Sequence, residues 1–330
     1  MTKTSQSILL FLATLFAGAI ALSAQAAAQT RVILAHPFSV GSLEDKANHK
    51  FAEEMVRRSG GKLKPEVFPA GQIGGFQQII QGMPAGLAHG LFISSGTLGL
   101  IDPAASVTVW PYMFDDIKQF QCAYASKEVQ AFMKRIEDST GYRTIGPAYK
   151  GARHLYATRP INKVEDLKGL KVRVANIPVY AKPWEALGAL PTSMGVDEAF
   201  MALQQGIVGG AEIELQTAYS LKWNEATKYV VLTSHAMDNY SWILWGKWLE
   251  GLSPDLRQAV EESAKASSVW FEQEVLKLEP ELLKKFQDAG ATVLKPDLAP
   301  FRAQVGPAME KALPKLAPDA EIFRKAGKSC

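Results

Sequence analysis

The sequence predicts an α/β fold of two lobes, with a cleft between them and a long helix that touches both. Two successive sets of alternating strand and helix patterns occupy residues 31–94 and 150–233. About 300 residues follow the N-terminal apolar segment, more than one hydrophobic core usually holds. A long helical pattern then begins near Ser253.

The first set contains three strands and two helices. RVILA at 31–35 predicts a strand, and apolar spacing predicts a helix over Glu44–Ser59, ended by two glycines. Residues 62–69 predict a second strand, and Gln77–Ala85 a helix interrupted by a proline. His89–Ser94 predicts a third strand that leads into a loop rich in serine and glycine. This order favours a mainly parallel sheet in the first lobe.

The second set surrounds the apolar segment LKVRVA at 170–175, which predicts a strand. Pro178 is suited to open a helix through roughly Leu187, and Asp197 to cap another that ends at Gly206. A strand around Tyr229–Thr233 closes the set.

Arg173 lies within this apolar strand, on the face opposite Val172 and Val174. A guanidinium keeps its charge, so it must face water or a carboxylate, and an enclosed one prefers a bidentate carboxylate partner. The alternative is a solvated arginine on an edge strand, paired with a surface glutamate.

The helical pattern from Ser253 continues past Trp270 towards Gly290. Ser253 is suited as the N-cap, with proline at the first helical position, and the helix should span about 254–289. Pro280 should bend or break it. If continuous, its length is on the order of 50 Å, enough to reach both lobes.

Residues 1–28 have the features of a secretory signal peptide: Lys3, an apolar run over Ile8–Leu22, and small residues before position 29. A retained anchor helix is the alternative. Loss of Lys3 lowers the formal net charge from +3 by one, to +2. Basic and acidic residues are interspersed, so the sequence favours no nucleic-acid partner.

The chain has two cysteines, Cys122 and Cys330. An oxidising compartment would let them pair, which would pin the C-terminal tail to the segment Gln119–Ala125. Two unrelated thiols are the alternative.

Catalytic and cofactor motifs are missing. SSGTLG around Ser94 lacks the first glycine of a nucleophile elbow, and the GKS of 327–329 lacks the upstream glycine of a phosphate loop. The five histidines are dispersed, with no pair at metal-ligand spacing.

Several separated segments share the pattern of one known family. They are HPFSVGS (36–42), FAEEMVRRSGGKLKPEVFPAGQIGG (51–75), GLKVRV (169–174), LGALPTSM (187–194), DEAFMALQQGIVGGAE (197–212) and LSPDLRQAVEESA (252–264). In order and spacing the chain resembles the DctP-type substrate-binding proteins of tripartite ATP-independent periplasmic (TRAP) transporters.

The resemblance implies a periplasmic solute-binding protein that is not an enzyme. No cofactor and no metal-binding residue is predicted, and whether a metal ion assists ligand binding stays open. Such a protein captures a small organic acid by domain closure and delivers it to a small and a large membrane subunit, as a monomer. The implied lobes are 29–150, with a return around 239–278, and 151–238, with the C-terminal elements 279–330.

In the resembled family, the arginine of GLKVRV grips the ligand carboxylate, which assigns that role to Arg173. An arginine at the position of Arg153 often adds a second contact, although a surface ion pair is the alternative. His36, Ser94 and Ser95 are first-lobe candidates because they follow strand ends. The other predicted ligand-binding residues are Tyr149, Glu212, Asn239 and Trp242.

Three positions depart from the sialic-acid binders of this family. Gly209 stands where aspartate is common, Ile213 where asparagine follows the glutamate, and Ser94 where a ligand-contacting glutamate stands. These departures argue against sialic acid. Two alternatives to the TRAP interpretation are a binding protein of an ATP-driven importer and a periplasmic hydrolase or isomerase with a His36/Glu212 site.

Overall fold

A computed structural model describes residues 29–330; the predicted signal peptide, residues 1–28, lies outside the described residues. The strands are β1 (Thr30–Ala35), β2 (Leu63–Phe68), β3 (Gly90–Ser94), β4 (Tyr142–Ala157), β5 (Lys171–Val174), β6 (Leu190–Ser193), β7 (Gly210–Glu214), β8 (Tyr229–Trp245) and β9 (Thr292–Leu294).

The helices fill the segments between these strands and the C-terminal region. They are α1 (Leu43–Arg58), α2 (Phe76–Gly82), α3 (Ile117–Ala125), α4 (Lys127–Thr140), α5 (Pro178–Ala186), α6 (Ala199–Gln204), α7 (Leu215–Ser220), α8 (Trp223–Ala226), α9 (Gly246–Glu250), α10 (Pro254–Asp288), α11 (Ala299–Ala312) and α12 (Ala317–Lys328). Both predicted sets of strands and helices are present, and the α/β class is confirmed. Helix α6 begins two residues after Asp197, with Glu198 at the N-cap position, so Asp197 is not the cap.

The strands form one mixed sheet in the order β2-β1-β3-β8-β4-β7-β5-β6, with β9 on β8. β1 pairs in parallel with β2 and β3, and β5 pairs in parallel with β6 and β7, which gives one parallel group in each half. The long strands β4 and β8 are antiparallel to each other, β8 is antiparallel to β3 and β4 is antiparallel to β7, whereas the short β9 pairs in parallel with β8. The halves are thus joined by two continuous strands, a two-lobed arrangement without a flexible tether.

The ribbon of β4 and β8 is irregular at three places, between Ile145 and Ala148, Tyr149 and Gly151, and Arg153 and Leu155. Gly146 lies at the first of them with a φ of 65°. A Cβ there would meet the Cβ of Ser268 at 2.9 Å, so a glycine lets the ribbon approach helix α10 closely.

Helix α10 has 35 residues, which matches the predicted long helix and gives a length of about 50 Å. Its Phe271 packs edge-on against Phe92 of β3, and its Phe286 lies near Tyr156 of β4. The helix therefore contacts both halves. The predicted break at Pro280 is wrong, because the helix continues through it; the carbonyl left without a donor belongs to Leu276, which lies on an exposed face.

The C-terminal helices connect the two halves a second time. α11 packs on α5, and α12 packs on α3 and α4. Cys122 of α3 and Cys330 form a disulfide with a Cα–Cα distance of 6.0 Å. The bridge holds the C-terminal tail against the Gln119–Ala125 segment. The two cysteines are therefore paired, and the alternative of two unrelated thiols is wrong. Helix α12 packs on elements within 29–150, although residues 279–330 were predicted to belong to the second lobe. The lobe boundaries stay a prediction.

Candidate functional site

A cavity of about 700 Å³ lies between the two groups of parallel strands. Its wall contains the residues that follow β3, β5 and β6, where ligands of such sheets gather. β8 adds two side chains from the centre of the sheet. The polar and aromatic residues of the wall include Phe38, Phe76, Gln77, Gln81, Ser94, Thr97, Arg153, Arg173, Asn176, Tyr180, Ser193, Asp197, Glu198, Asp238 and Tyr240.

Arg173 lies on this wall and is only 3% exposed, while Val172 and Val174 face the apolar core. Strand β5 lies between β6 and β7, so the edge-strand alternative is wrong. Nε and Nη2 donate to the carbonyl oxygen of Met194 at 3.1 and 2.8 Å. Among residues 29–330, no carboxylate lies within 4.0 Å of the guanidinium. Within residues 29–330, Arg173 therefore donates to a backbone carbonyl and not to the carboxylate that the sequence predicts as its partner.

Burial lowers the pKa of Arg173 to about 10, although the charge of Glu212 raises it. The group stays cationic at neutral pH. A buried cation that lacks a nearby carboxylate is costly, which is typical of a site for an anion.

Arg153 of β4 is also buried and on the cavity wall, so the surface-pair alternative is wrong. Its Nε and Nη2 form a bidentate pair with Glu212 at 2.6 and 2.9 Å. Its Nη1 donates to Glu214 at 2.6 Å and to Asp238 at 3.0 Å. Burial opposes the charge, but Glu212 and Glu214 outweigh it and raise the pKa of Arg153. The guanidinium is enclosed by three carboxylates.

This pairing extends into a buried cluster. Lys150 lies 3.1 Å from Glu214 and 3.3 Å from Glu44 of α1. His235 lies 3.1 Å from Glu212. Burial alone would raise the pKa of Glu212, but Arg153 and His235 lower it to about 2. The carboxylates of β7 are therefore counter-ions of basic residues from β4 and β8.

Asp238 is a wall residue that the sequence did not predict. Ser94 donates to its Oδ1 at 2.6 Å, and Tyr180 lies 3.5 Å from Oδ2. Burial and the charge of Glu214 raise the pKa of Asp238 to about 7. Strand parity could have found it: Asp238 and Tyr240 alternate onto the cavity side of β8, whereas Asn239 faces away.

Asp238→Asn should change how stability depends on pH. A carboxyl whose pKa is raised from 3.8 to about 7 stabilises the fold below its unfolded pKa, and this contribution is lost as pH rises through 7. We expect the free energy of unfolding of the variant, relative to the wild type, to rise by about 4 kcal/mol between pH 4 and pH 8. Urea unfolding at several pH values measures this. A constant difference would contradict it, and Asp115→Asn provides the surface control.

Three of the predicted ligand-binding residues lie on the cavity wall: Arg173, Arg153 and Ser94. His36, the residue after β1, does not lie on the wall. Its ring is buried, and Nε2 lies 3.1 Å from Oδ1 of Asp45. Glu212 is fully buried, and its carboxylate is paired with Arg153 and His235. The structure therefore does not pair His36 with Glu212 as a catalytic site would require.

The structure places the remaining four predicted residues away from the cavity wall. The hydroxyl of Ser95 bonds to Ser241, and the Asn239 amide bonds to Tyr124. Tyr149 contacts Glu279 of α10 at 3.2 Å. Trp242 is fully buried against aromatic rings of the first half. Their polar or aromatic character serves packing between elements.

The sequence analysis also missed Asn176, Tyr180 and Asp197, which follow β5 and β6. Their position after strand ends is the signal that could have found them. Together with Arg173, they give one half of the wall a cation and several hydrogen-bonding groups.

Cavity residues come from both halves of the sheet, and the wall presents a buried cation with polar neighbours. The fold and the site define a two-lobed binding protein. Residues 34–315 match the model of the bacterial extracellular solute-binding protein family 7, DctP. The chain belongs to this family, as the sequence motifs predicted.

A solute-binding protein of Roseobacter denitrificans is 30% identical over 86% of this chain and 87% of its own length. Its crystal structure, a TRAP periplasmic solute-binding protein with bound L-galactonate, matches with a TM-score of 0.85 at 27% identity, covering 89% of this chain and 98% of that one.

Two further relatives have ligands in their names. The sialic acid-binding periplasmic protein of Vibrio cholerae is 28% identical over 92% of this chain and 94% of its own. The C4-dicarboxylate-binding periplasmic protein of Rhodobacter capsulatus is 28% identical over 83% of this chain and 82% of its own. The family is periplasmic, binds small organic acids and works with TRAP membrane components. Its members are binding proteins, so the enzyme and ATP-driven importer alternatives are dropped.

Proposed function

We propose that this chain captures a small organic acid in the cavity and that Arg173 holds the acid's carboxylate. The observation that carries this is a buried guanidinium on the cavity wall, with no carboxylate of residues 29–330 within 4.0 Å. A ligand carboxylate would supply the missing counter-charge through charge-assisted hydrogen bonds, which fix both its position and its angle.

Binding is coupled to closure of the two halves. Ser94 and Phe38 come from the first parallel group, whereas Arg173 and Asn176 come from the second. A ligand that contacts both groups stabilises the closed arrangement, because those contacts exist together only there. The strands β4 and β8, which cross between the halves, would bend in this motion.

The chain is exported by residues 1–28, acts as a monomer and delivers the acid to a small and a large TRAP membrane subunit. No helix within residues 29–330 is long and apolar enough to cross a bilayer. The interspersed charges of the sequence suit a diffusing carrier and no nucleic-acid partner.

A thermal-shift screen of organic acids, followed by calorimetry, tests the function. An acid that binds only the folded state stabilises it by about 2.7 kcal/mol at a ligand concentration of 100 Kd. The melting temperature should therefore rise. The matched amide or alcohol of each acid is the control, since it lacks the charge for Arg173. If no acid shifts the melting temperature, the proposal fails.

A further inference from the structure

Two helices, one from each half of the sheet, contact each other behind the cavity wall. The hydroxyl of Thr217 on α7 donates to Oε1 of Glu44, in the first turn of α1, at 3.0 Å. Helix α1 packs on β2 of the first half, and α7 packs on β7 of the second. Thr217 and Glu44 are 0% and 1% exposed. This hydrogen bond therefore links the two halves through groups that are shielded from water.

Lys150 extends this link to the ribbon that joins the halves. It lies on β4 at the irregular pairing between Tyr149 and Gly151, and Gly151 has a φ of 119°. Its Nζ lies 3.3 Å from Glu44 of the first half and 3.1 Å from Glu214 of the second. The buried ammonium is thus held between one carboxylate from each half, at a point where the ribbon departs from regular strand pairing.

The charges of this contact lie behind two rings of the cavity wall. Nζ of Lys150 is 3.8 Å from the ring centre of Tyr240 and 5.2 Å from that of Phe38, and both rings line the cavity whereas Lys150 does not. A buried ion pair is screened much less than a surface pair. The interlobe cluster of Glu44, Lys150 and Thr217 therefore acts without touching a molecule in the cavity.

Separation of the two halves would disrupt the interlobe cluster. α1 follows the end of β1 and α7 follows the end of β7, so both helices begin at the strand ends that border the cavity. Helix α10 packs on both of them, which places the cluster beside the elements that must bend on opening. A hydrogen bond is lost when its two heavy atoms separate by about 1 Å. Contacts that exist only in the closed arrangement stabilise that arrangement.

We propose that Glu44, Lys150 and Thr217 form a latch that stabilises the closed arrangement and slows release of the bound acid. They are positioning residues, because none of them lines the cavity. The slowed release rests on the proposed function, since it requires a ligand. The latch itself sets how readily the empty protein opens, so it can be measured without one.

Pulsed electron paramagnetic resonance on the exported chain, freed of carried-over acid by partial unfolding and dialysis, measures the opening. Spin labels on Glu53→Cys and Lys168→Cys report the distance between exposed sites of the two halves. The native cysteines are in a disulfide and take no label.

Thr217→Val removes the hydroxyl and nearly keeps the shape of the side chain. We expect the ratio of open molecules to those at the label separation of this structure to rise about tenfold, because one hydrogen bond to a charged group is lost. An identical distance distribution for Thr217→Val and the wild type overturns the latch. If Thr217→Val opens the chain but no acid binds, the latch stands and the carrier function fails.

Two matched variants serve as controls. Thr217→Ser restores the hydroxyl and should return the wild-type distribution. Thr227→Val removes another buried hydroxyl, which donates to the carbonyl of Trp223 within the second half, and should leave the distribution unchanged. Equal opening by Thr227→Val and Thr217→Val would show a general loss of stability, and would overturn the latch.

A double-mutant cycle tests whether the hydroxyl acts through Glu44. Glu44→Met removes both the acceptor of Thr217 and a partner of Lys150, so it should open the chain further than Thr217→Val. In the Glu44→Met background, Thr217→Val should add no effect. An added effect as large as that in the wild type overturns the assignment to Glu44. If Glu44→Met does not fold, the Thr217 variants and Thr227→Val decide the proposal.

Discussion

Arg173→Ala is expected to weaken binding of the organic acid by roughly 30-fold to several thousandfold, which corresponds to about 2 to 5 kcal/mol. The variant removes the one guanidinium on the cavity wall that has spare donors, and leaves the ligand carboxylate buried without a cation. Calorimetry with the acid found in the screen measures the loss.

The fold should survive this change. Burial lowers the pKa of Arg173, so its charged form is disfavoured in the folded protein and its removal relieves that cost. We therefore expect a free energy of unfolding that is unchanged or higher while affinity falls, the trade-off expected where a site is strained for binding.

Two variants serve as controls for Arg173. Lys171→Ala removes a positive charge from an exposed position two residues away on the same strand, and should leave affinity near the wild-type value. Arg173→Lys keeps the charge but loses the planar pair of donors, so it should bind with intermediate affinity. Equal affinity of Arg173→Ala and the wild type would refute the anchor role.

Local sequence patterns predicted most of the fold. Apolar periodicity gave β1, α1, β3 and α10 close to their observed bounds, because each depends on neighbours within a few residues. A break at Pro280 does not occur, because Phe271 and Phe286 pack on the two halves and stabilise the helix on both sides of the proline.

The candidate site was only partly predictable. Arg173 and Ser94 follow from strand parity and strand ends, which are local features. The surroundings of Arg153 depend on register: β4 pairs it with Glu214 of β7 and with Ala236 of β8. Such pairings across 61 and 83 positions of the chain have no local signal, so the sequence could not show that Glu212 is a counter-ion of Arg153, and Glu212 was assigned to the ligand.

Register also explains why the two arginines have different roles. Arg153 lies on a central strand, between two strands that carry carboxylates, whereas Arg173 lies on β5, beyond β7. Carboxylates of the sheet neutralise Arg153, whereas Arg173 donates only to an uncharged loop carbonyl and keeps an unmatched positive charge. Position in the sheet, more than residue type, decides which guanidinium is available to a ligand.

Arg153→Met tests the other side of this division and is expected to lower the free energy of unfolding by about 3 to 5 kcal/mol. Methionine approximates the length of the side chain but leaves Glu212, Glu214 and Asp238 buried with one cation fewer. Arg31→Met, which removes an arginine from an exposed pair with Glu66, should change the free energy of unfolding little, because solvent screens the pair.

The pH dependence of Arg153→Met distinguishes lost charge pairing from lost packing. In the wild type the pKa of Glu212 is held near 2, so this group contributes stability above its unfolded pKa and loses it as pH falls. Without Arg153, burial should raise the pKa of Glu212, and the destabilisation should grow as pH rises from 5 to 8. Urea unfolding across this range measures it. A deficit that stays constant with pH would show that packing, and not the buried charges, is what Arg153 supplies.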